Sequence, residues 1–176
     1  KAGMKGMKSH VHEAGIRTPF LMRWPAVLKA GTSSDRLAAH IDVFPTLLAA
    51  CGASLPEGVQ QDGRNFLPLL TGDVAACDWE DRTLVIQSHR GNSPVRYHHF
   101  AAISQDWKLV HPSGFGRENF EGDPKFELYH LKTDPLEMEN IAAEQPEKLA
   151  EIKAVYDRWF DDVSSTRPDN YAPPGI

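Results

Sequence analysis

The sequence predicts an α/β chain whose second half forms a small α+β domain, with one helix packed on an antiparallel sheet. Two observations carry this prediction. Four short runs rich in β-branched and aromatic residues follow one another between residues 83 and 129. A single long amphipathic pattern then begins at Pro146, and it predicts the helix that covers the sheet.

The first half of the chain alternates loops with short apolar runs. Residues 1–17 are rich in Gly, Lys and His and predict a loop, whereas Phe20–Trp24 predicts a strand. A helix of about ten residues is expected over 41–51, with Asp42 placed to cap it. One short helical turn is expected at Asn65–Leu70. The helix over 41–51 should bury one apolar face, formed by Phe44, Leu47, Leu48 and Cys51.

Four strands and a helix are expected in the second half. The strands are expected at Thr83–Gln87, Phe100–Ser104, Trp107–Val110 and Phe126–Tyr129. Gln105 and Asp106 leave a two-residue connection between the second and third strands, so these two should be antiparallel. The helix from Pro146 should lay one apolar stripe on the sheet, formed by Leu149, Ile152, Val155, Tyr156, Trp159, Phe160 and Val163.

Composition excludes several classes of protein. The 176 residues include 19 basic and 24 acidic side chains, and the net charge of −5 argues against a nucleic acid or an anionic membrane held by bulk charge. The longest apolar stretch, near residues 43–51, is about half of the ~20 residues that a membrane span requires. Two cysteines predict no disulfide framework, and Cys51 is expected to be a buried thiol. Because the chain opens without Met or a signal-peptide pattern, we expect a piece of a longer polypeptide.

The densest group of reactive side chains lies between Lys8 and Arg17, just before the first predicted strand. Loops beside strands in α/β proteins commonly bind ligands. His10 and His12 form an H-x-H pair, which supplies two metal ligands only where the chain is extended. Because no third ligand is suitably spaced, the simpler interpretation is that Glu13 and Arg17 brace the loop, with both histidines at the surface.

A second polar cluster, Gln87–Asn92, follows the first strand of the small sheet. It contains His89 and Arg90, and the planar guanidinium of an arginine matches sulfate, phosphate or carboxylate. A surface turn with an ordinary ion pair is the alternative. His98 and His99 are adjacent at a strand start, where neighbouring side chains face opposite ways, so they cannot form one bidentate site.

Five segments, in order along the chain, resemble motifs of the type I sulfatases, a family of the alkaline phosphatase superfamily. Lys8 with Glu13–Pro19, followed by Arg23–Pro25, is similar to K-x-x-x-x-E-G-G-x-R-x-P and R-W-P. His40–Leu48 is similar to H-x-D-x-x-P-T-L-L. Asp62-Gly63 with Leu67–Leu70 is similar to D-G-x-S-x-x-P-L-L, and Trp107–Leu109 is similar to W-K-L. Glu127–Ala142 is similar to E-L-Y-D-L-x-x-D-P-x-E-x-x-N-L-A.

The resemblance implies a division of the chain into two domains. Residues 1–75 would be the C-terminal end of a large α/β catalytic domain of the alkaline phosphatase type. Residues 76–176 would be a small α+β domain with about four antiparallel strands, a packed C-terminal helix and an extended tail. The elements predicted above for residues 80–163 match that smaller domain.

The resemblance also implies an activity. Members of the family are sulfatases, which hydrolyse sulfate esters, so this chain would be the C-terminal part of an enzyme acting on an aryl or carbohydrate sulfate. Their nucleophile is a formylglycine made from C/S-x-P-x-R, a motif that neither Cys51 nor Cys77 begins. Their calcium ligands lie upstream, so no metal ligand is assigned here. We therefore expect the chain alone to be inactive, the N-terminal part of the same polypeptide to be its partner, and a periplasmic or secreted location.

Lys8 is the residue onto which a catalytic role of the family carries over. The resemblance places a sulfate-contacting lysine five residues before the glutamate of the first motif, which selects Lys8, whereas Lys5 lies eight residues before it. The substrate-binding residues that we expect are Lys8 and His10 in this loop, with His89 and Arg90 contacting the leaving-group alcohol or sugar.

Ala14 departs from the family pattern, because the first motif has glycine at this position. If the backbone there needed a positive φ, alanine would be strained by roughly 1 kcal/mol or more. We expect instead that the position tolerates a methyl group.

Two other functions stay open on the sequence. One is a phosphate or phosphonate ester hydrolase of the same superfamily, in which the same lysine would contact a phosphoryl group. The other is a non-catalytic module that binds sulfated glycans. The net charge of −5 weighs against the second, because anion-binding modules usually gather a basic field.

Overall fold

The computed structural model describes residues 3–73, 79–88, 94–114 and 120–166. The chain divides into two compact units, one containing residues 1–18 and 82–176 and the other residues 19–81. The second unit is thus inserted, in sequence, between two parts of the first. The assignment of residues 1–75 to a larger catalytic domain, and of 76–176 to a small one, concerns the longer polypeptide and stays a prediction.

The larger unit is built on a four-stranded antiparallel sheet whose strands lie in sequence order. The strands are β1 (Leu84–Gln87), β2 (Phe100–Ile103), β3 (Trp107–His111) and β4 (Glu127–His130). Residues 104–106 connect β2 to β3, and the amide of Ser104 donates to the carbonyl of Trp107 (2.8 Å), so the hairpin turns at Gln105 and Asp106. The predicted strands and the predicted hairpin are therefore confirmed.

Helix α4 (Pro146–Thr166) packs across one face of this sheet, as its apolar stripe predicts. Tyr156, at the centre of the stripe, is fully buried and its ring lies 4.0 Å from that of Phe100, between centroids. The Tyr156 hydroxyl accepts a hydrogen bond from the Tyr97 amide (2.8 Å) and contacts the side-chain oxygen of Gln87 (3.1 Å). Its polar end is therefore satisfied inside an aromatic core.

The opposite face of the sheet is covered by the N-terminal segment, defined here as residues 3–18. Because side chains alternate along a strand, Phe100 faces α4 while the next residue, Ala101, faces this segment. Val11 is buried there against Ala101 and Val110. Every residue of β2 is buried, since the sheet is covered on both faces. The segment, predicted as a loop, also contains a single helical turn, α1 (Glu13–Ile16).

The smaller unit contains α2 (Val43–Ala50), preceded by a 3₁₀ turn (His40–Asp42), and α3 (Leu67–Thr71). Asp42 lies directly before α2, as predicted, but its carboxylate does not cap the first turn of the helix. Instead it is fully buried and accepts the backbone amides of Ala39 and Arg64, each at 2.7 Å. Asp42 therefore ties the loop before α3 to the start of α2.

The prediction that α2 buries one apolar face is wrong for three of its four residues, whereas Leu48 is half-buried. Phe44 is 52% exposed, Leu47 is 49% exposed, and Cys51 is exposed rather than a buried thiol. The buried side chains include Thr46, whose hydroxyl accepts a hydrogen bond from the Phe66 amide at 3.0 Å. Within the described part of the chain, Thr46 therefore lies on the inward side of α2, towards the residue before α3.

The predicted strand at Phe20–Trp24 is also wrong, because none of these five residues is in a strand. Leu21 is 93% exposed, and the ring of Phe20 packs edge-on against that of Phe66 (5.2 Å between centroids). A strand needs a partner backbone to satisfy its amides and carbonyls. Among the described residues, the strands of the sheet are β1 to β4, and this run is not one of them.

Candidate functional site

Lys8 lies at the second position of a tight turn formed by residues 7–10, which we call the lysine turn. The His10 amide donates to the Met7 carbonyl (2.9 Å) and closes it. Ser9 has a φ of +74°, a left-handed conformation that costs a non-glycine residue about 1 kcal/mol or more. The Lys8 side chain is exposed, and its amine bonds to no other residue of the described ranges. It is therefore available to an anion from outside this chain.

Gly15 of α1 allows the backbone to pass directly beneath the lysine turn. A Cβ at this position would lie 2.0 Å from the His10 carbonyl oxygen and 2.6 Å from that of Met7. No side chain fits at such distances, so only glycine permits this approach. Gly6 enters the turn with a φ of +88° and is similarly crowded, since its Cβ would lie 3.2 Å from that of His10.

Ala14, the departure from the family pattern, is accommodated without strain. It lies within α1 and its φ is not positive. Its amide donates to the Lys5 carbonyl at 2.9 Å, which ties α1 to the start of the segment. The expectation that a methyl group is tolerated here is confirmed.

A buried charged network fixes α1 to the sheet. Lys108 on β3 is fully buried, and its amine lies 3.0 Å from Glu13 Oε1 and 2.8 Å from Glu137 Oε1. Glu137 also accepts the Glu13 amide at 2.7 Å. The Arg17 side chain is exposed, and its Nη1 lies 3.5 Å from Glu13 Oε2. The expectation that Glu13 and Arg17 brace this region is confirmed, but the main partner of Glu13 is Lys108.

A second polar group joins the segment to β4. Lys5 donates to the Tyr129 hydroxyl at 2.7 Å and lies 3.4 Å from Glu127 Oε2. His12 is 6% exposed and its Nε2 donates to the same Glu127 oxygen at 3.1 Å, so the prediction of a surface histidine is wrong for His12. The hydrogen bond from His12, together with the Tyr129 hydroxyl and the nearby amine, lowers the pKa of Glu127 to about 2. Since the Lys5 amine is occupied inside the unit, it is less available to a ligand than that of Lys8.

His99 connects the lysine turn to the sheet. Its Nε2 donates to the Ser9 carbonyl at 2.7 Å, and the residue is 3% exposed. Burial lowers the pKa of His99, although the bond to Ser9 partly opposes this shift. His99 is therefore a neutral donor near pH 7, directly before β2.

The predicted site residues are only partly brought together by the structure. Lys8 and His10 share the lysine turn, where His10 is half-buried. His89 and Arg90 lie outside the described residues, so their proposed contact with a leaving group stays a prediction. His98 and His99 are both buried, at 1% and 3% exposure.

The sequence interpretation missed the residues that hold Lys8 in place. Lys108 and Glu137 stand inside the W-K-L and D-P-x-E motifs, so a signal for them was present. Nothing local connected them with Glu13, which lies 95 residues before Lys108. His99 gave no signal, because its contact with Ser9 depends on how the segment folds over the sheet.

In the described residues, no group of three or more His, Cys, Asp or Glu side chains is arranged to hold a metal ion. The calcium ion that the resemblance implies stays a prediction. Among the helices that the structure describes, none has the length and apolar character to cross a membrane.

Two curated relatives are similar to most of this chain. An N-acetylgalactosamine-6-O-sulfatase of Bacteroides thetaiotaomicron is 30% identical over 154 residues, which are 84% of this chain and 28% of that protein. The steryl-sulfatase of Homo sapiens is 31% identical over 183 residues, covering 94% of this chain and 31% of that protein. The chain thus spans less than a third of the length of either relative.

Solved structures agree with these matches. A Bacteroides thetaiotaomicron protein described in connection with the metabolism of multiple glycosaminoglycans aligns with a TM-score of 0.65 and 28% identity, over 89% of this chain and 32% of that one. A phosphonate monoester hydrolase from Silicibacter pomeroyi aligns with a TM-score of 0.50 and 23% identity, over 74% of this chain and 26% of that one, which shows the fold alone.

The family match covers nearly the whole described chain. Residues 6–162 match the family model described as N-sulphoglucosamine sulphohydrolase, C-terminal. This range includes the lysine turn, the charged network, the sheet and most of α4. The chain belongs to this family, and its resemblance to the C-terminal portion of a type I sulfatase is confirmed.

Proposed function

We propose that this chain is the C-terminal part of a sulfatase that hydrolyses an aryl or carbohydrate sulfate ester, and that Lys8 contacts the sulfate group. The observation that carries the proposal is the exposed Lys8 amine on a turn anchored from three directions. Gly15 underlies the turn, His99 bonds to its Ser9 carbonyl, and Glu13 holds α1 to the sheet. An exposed lysine on a mobile loop would need none of these supports.

Lys8 would act by electrostatic stabilisation. When the S–O bond to the leaving group breaks, negative charge grows on the bridging oxygen and is shared with the other sulfate oxygens. An ammonium held beside them stabilises that charge, and because the turn is already ordered, little reorganisation is needed at the moment of reaction. Loss of one such contact typically costs on the order of 10²–10³ in rate.

The sequence contains no C-x-P-x-R, so this chain does not supply the family's nucleophile. We propose that the nucleophile and the calcium site belong to an N-terminal part of the same polypeptide, and that this chain alone is inactive. Calcium enters the proposal through the family resemblance only, and no step assigned to Lys8 passes through it. The proposed location is periplasmic or secreted, as for the family, and fractionation of the intact polypeptide would test it.

The substrate class rests on the relatives' names. One relative is an N-acetylgalactosamine-6-O-sulfatase and another a steryl-sulfatase, which supports a sulfate ester on a sugar or on a ring alcohol. We propose that His10 lines the sulfate pocket beside Lys8. His89 and Arg90 are proposed to contact the leaving group, so Arg90→Ala should raise KM for a sulfated sugar more than for a small aryl sulfate.

The test uses the intact polypeptide and a panel of 4-nitrophenyl sulfate, 6-O-sulfated N-acetylhexosamines and 4-nitrophenyl phenylphosphonate. We expect turnover of a sulfate ester, and a fall in kcat/KM of about 10²–10³ for Lys8→Ala. Lys132→Ala, another exposed loop lysine, is the matched control and should stay within about twofold. Preferred turnover of the phosphonate would favour the alternative hydrolase, whereas unchanged turnover by Lys8→Ala would remove Lys8 from the mechanism.

A further inference from the structure

We propose that His99 is the positioning residue for Lys8, acting through the hydrogen bond from its Nε2 to the Ser9 carbonyl. This inference rests on the proposed function, since it gives a role to a residue that does not itself reach the sulfate. It adds to the site a group 90 residues away in sequence, directly before strand β2. It also explains why a histidine is buried beneath an exposed lysine turn.

The bond acts on the peptide unit that follows the strained residue of the turn. Ser9 holds a φ of +74°, which a serine does not favour by itself. The Ser9 carbonyl lies just beyond that strained torsion, so a donor fixed 2.7 Å away opposes its relaxation. If Ser9 relaxed to a negative φ, the direction of the neighbouring Lys8 side chain would change.

His99 is itself held firmly enough to serve as a support. Its amide donates to the Ser113 hydroxyl at 2.8 Å, and its carbonyl accepts the Ser88 amide at 3.1 Å. It has a φ of +43°, and Phe100, the next residue, begins the fully buried strand β2. The position of the donor is therefore set by the sheet and not by the turn that it supports.

The chemistry of the bond is that of a neutral donor. A carbonyl oxygen only accepts, so the proton must be on Nε2 of His99. The ring stays uncharged near neutral pH because burial lowers the pKa of His99. It therefore orients Lys8 without placing a second positive charge under the anion. An uncharged amide donor of similar reach should replace it, whereas an aromatic ring without a donor should not.

The experiment is a double-mutant cycle in the intact polypeptide, using the sulfate ester that the wild type turns over fastest. His99→Phe keeps the ring and removes the donor, and His99→Gln restores a donor. We expect kcat/KM to fall about 10- to 100-fold for His99→Phe and to stay within about threefold for His99→Gln. In the Lys8→Ala background, His99→Phe should cost less than about twofold, because its effect passes through Lys8.

A merely structural role would give a different pattern. An equal loss from His99→Phe with and without Lys8 would overturn the proposal, as would no loss at all. If His99→Phe does not fold, Ser113→Ala, which frees the His99 amide, takes its place in the same cycle and must show the same dependence on Lys8. If Lys8→Ala leaves turnover unchanged, or if no sulfate ester is turned over, the proposed function is wrong. The role of His99, which rests on that function, is then wrong as well.

Discussion

Replacing Lys108 with methionine would test whether the buried charged network holds the N-terminal segment on the sheet. Methionine is an unbranched side chain slightly shorter than lysine, and it removes the charge and the hydrogen-bond donors. Two carboxylates, those of Glu13 and Glu137, would then face each other inside the protein without the ammonium between them. We expect the segment to detach from the sheet far more often than in the wild type.

The expected cost is large because both partners are buried. Lys108 and Glu137 have side chains that are 0% exposed, and that of Glu13 is 8% exposed. Removing one member of a buried ion pair typically costs about 3–5 kcal/mol, since the other is left without compensation. The Arg17 guanidinium, 3.5 Å from Glu13, is 64% exposed and offsets little of this loss. A cost of about 3–5 kcal/mol is therefore expected for opening of the segment.

Hydrogen exchange read peptide by peptide in the intact polypeptide measures this cost without assuming two-state unfolding. Amides of residues 10–17 and of β3 should exchange about 10²- to 4 × 10³-fold faster in Lys108→Met, since each 1.4 kcal/mol is a factor of ten. Lys153→Met is the matched control, because Lys153 also contacts a carboxylate, that of Asp157 at 2.8 Å, but is 31% exposed. A change no larger than that of Lys153→Met would refute the reasoning.

Three further substitutions test other parts of the structure. Gly15→Ala places a methyl group 2.0 Å from a carbonyl oxygen of the lysine turn, so it should lower kcat/KM on a sulfate ester at least about tenfold. Ala14→Gly is the control and should leave kcat/KM within about twofold of the wild type. Equal effects of the two substitutions would contradict the role of Gly15. A Cβ at position 63 would lie 2.0 Å from the Ile41 carbonyl oxygen, so Gly63→Ala should destabilise the smaller unit by about 2 kcal/mol. Unchanged hydrogen exchange in α2 would contradict this expectation. The hydrogen bond from His12 lowers the pKa of Glu127 from 4.5 to about 2. The contribution of the Glu127 carboxylate to the free energy of unfolding is therefore present above about pH 4.5 and is lost as the pH falls to about 2. In denaturant unfolding, the free energies of unfolding of the wild type and Glu127→Gln should differ by up to about 3 kcal/mol at pH 7 and converge near pH 2. A difference that does not change with pH would exclude this role of Glu127.

The small sheet and α4 could be predicted from sequence because their signals are local. Short runs rich in β-branched and aromatic residues mark the strands, and the short connection of residues 104–106 between β2 and β3 favours a hairpin. The stripe of α4 is buried where it meets the sheet, as at Tyr156, and it becomes exposed at Val163, beyond the part that packs on the sheet. In these elements the hydrophobic period and the tertiary contacts agree.

The remaining errors have a common physical cause. Phe44, Leu47 and Phe20 carry the apolar pattern of buried elements, yet each is about half exposed in this chain. Periodicity reports that a face is apolar but not what covers it. The lysine turn shows the opposite case: Lys8 was placed by motif spacing, whereas its support by His99 is a long-range contact that no local pattern encodes.

The supports of the lysine turn also set an order of events during synthesis. His99 follows Ser9 by 90 residues, and Glu137 follows Glu13 by 124. At about 5–20 residues per second, Lys8 is translated several seconds before His99, the first of these two long-range supports. A nascent chain that stops before residue 137 would carry the Lys8 amine but not all the contacts that direct it, so residues translated much later decide the geometry of Lys8.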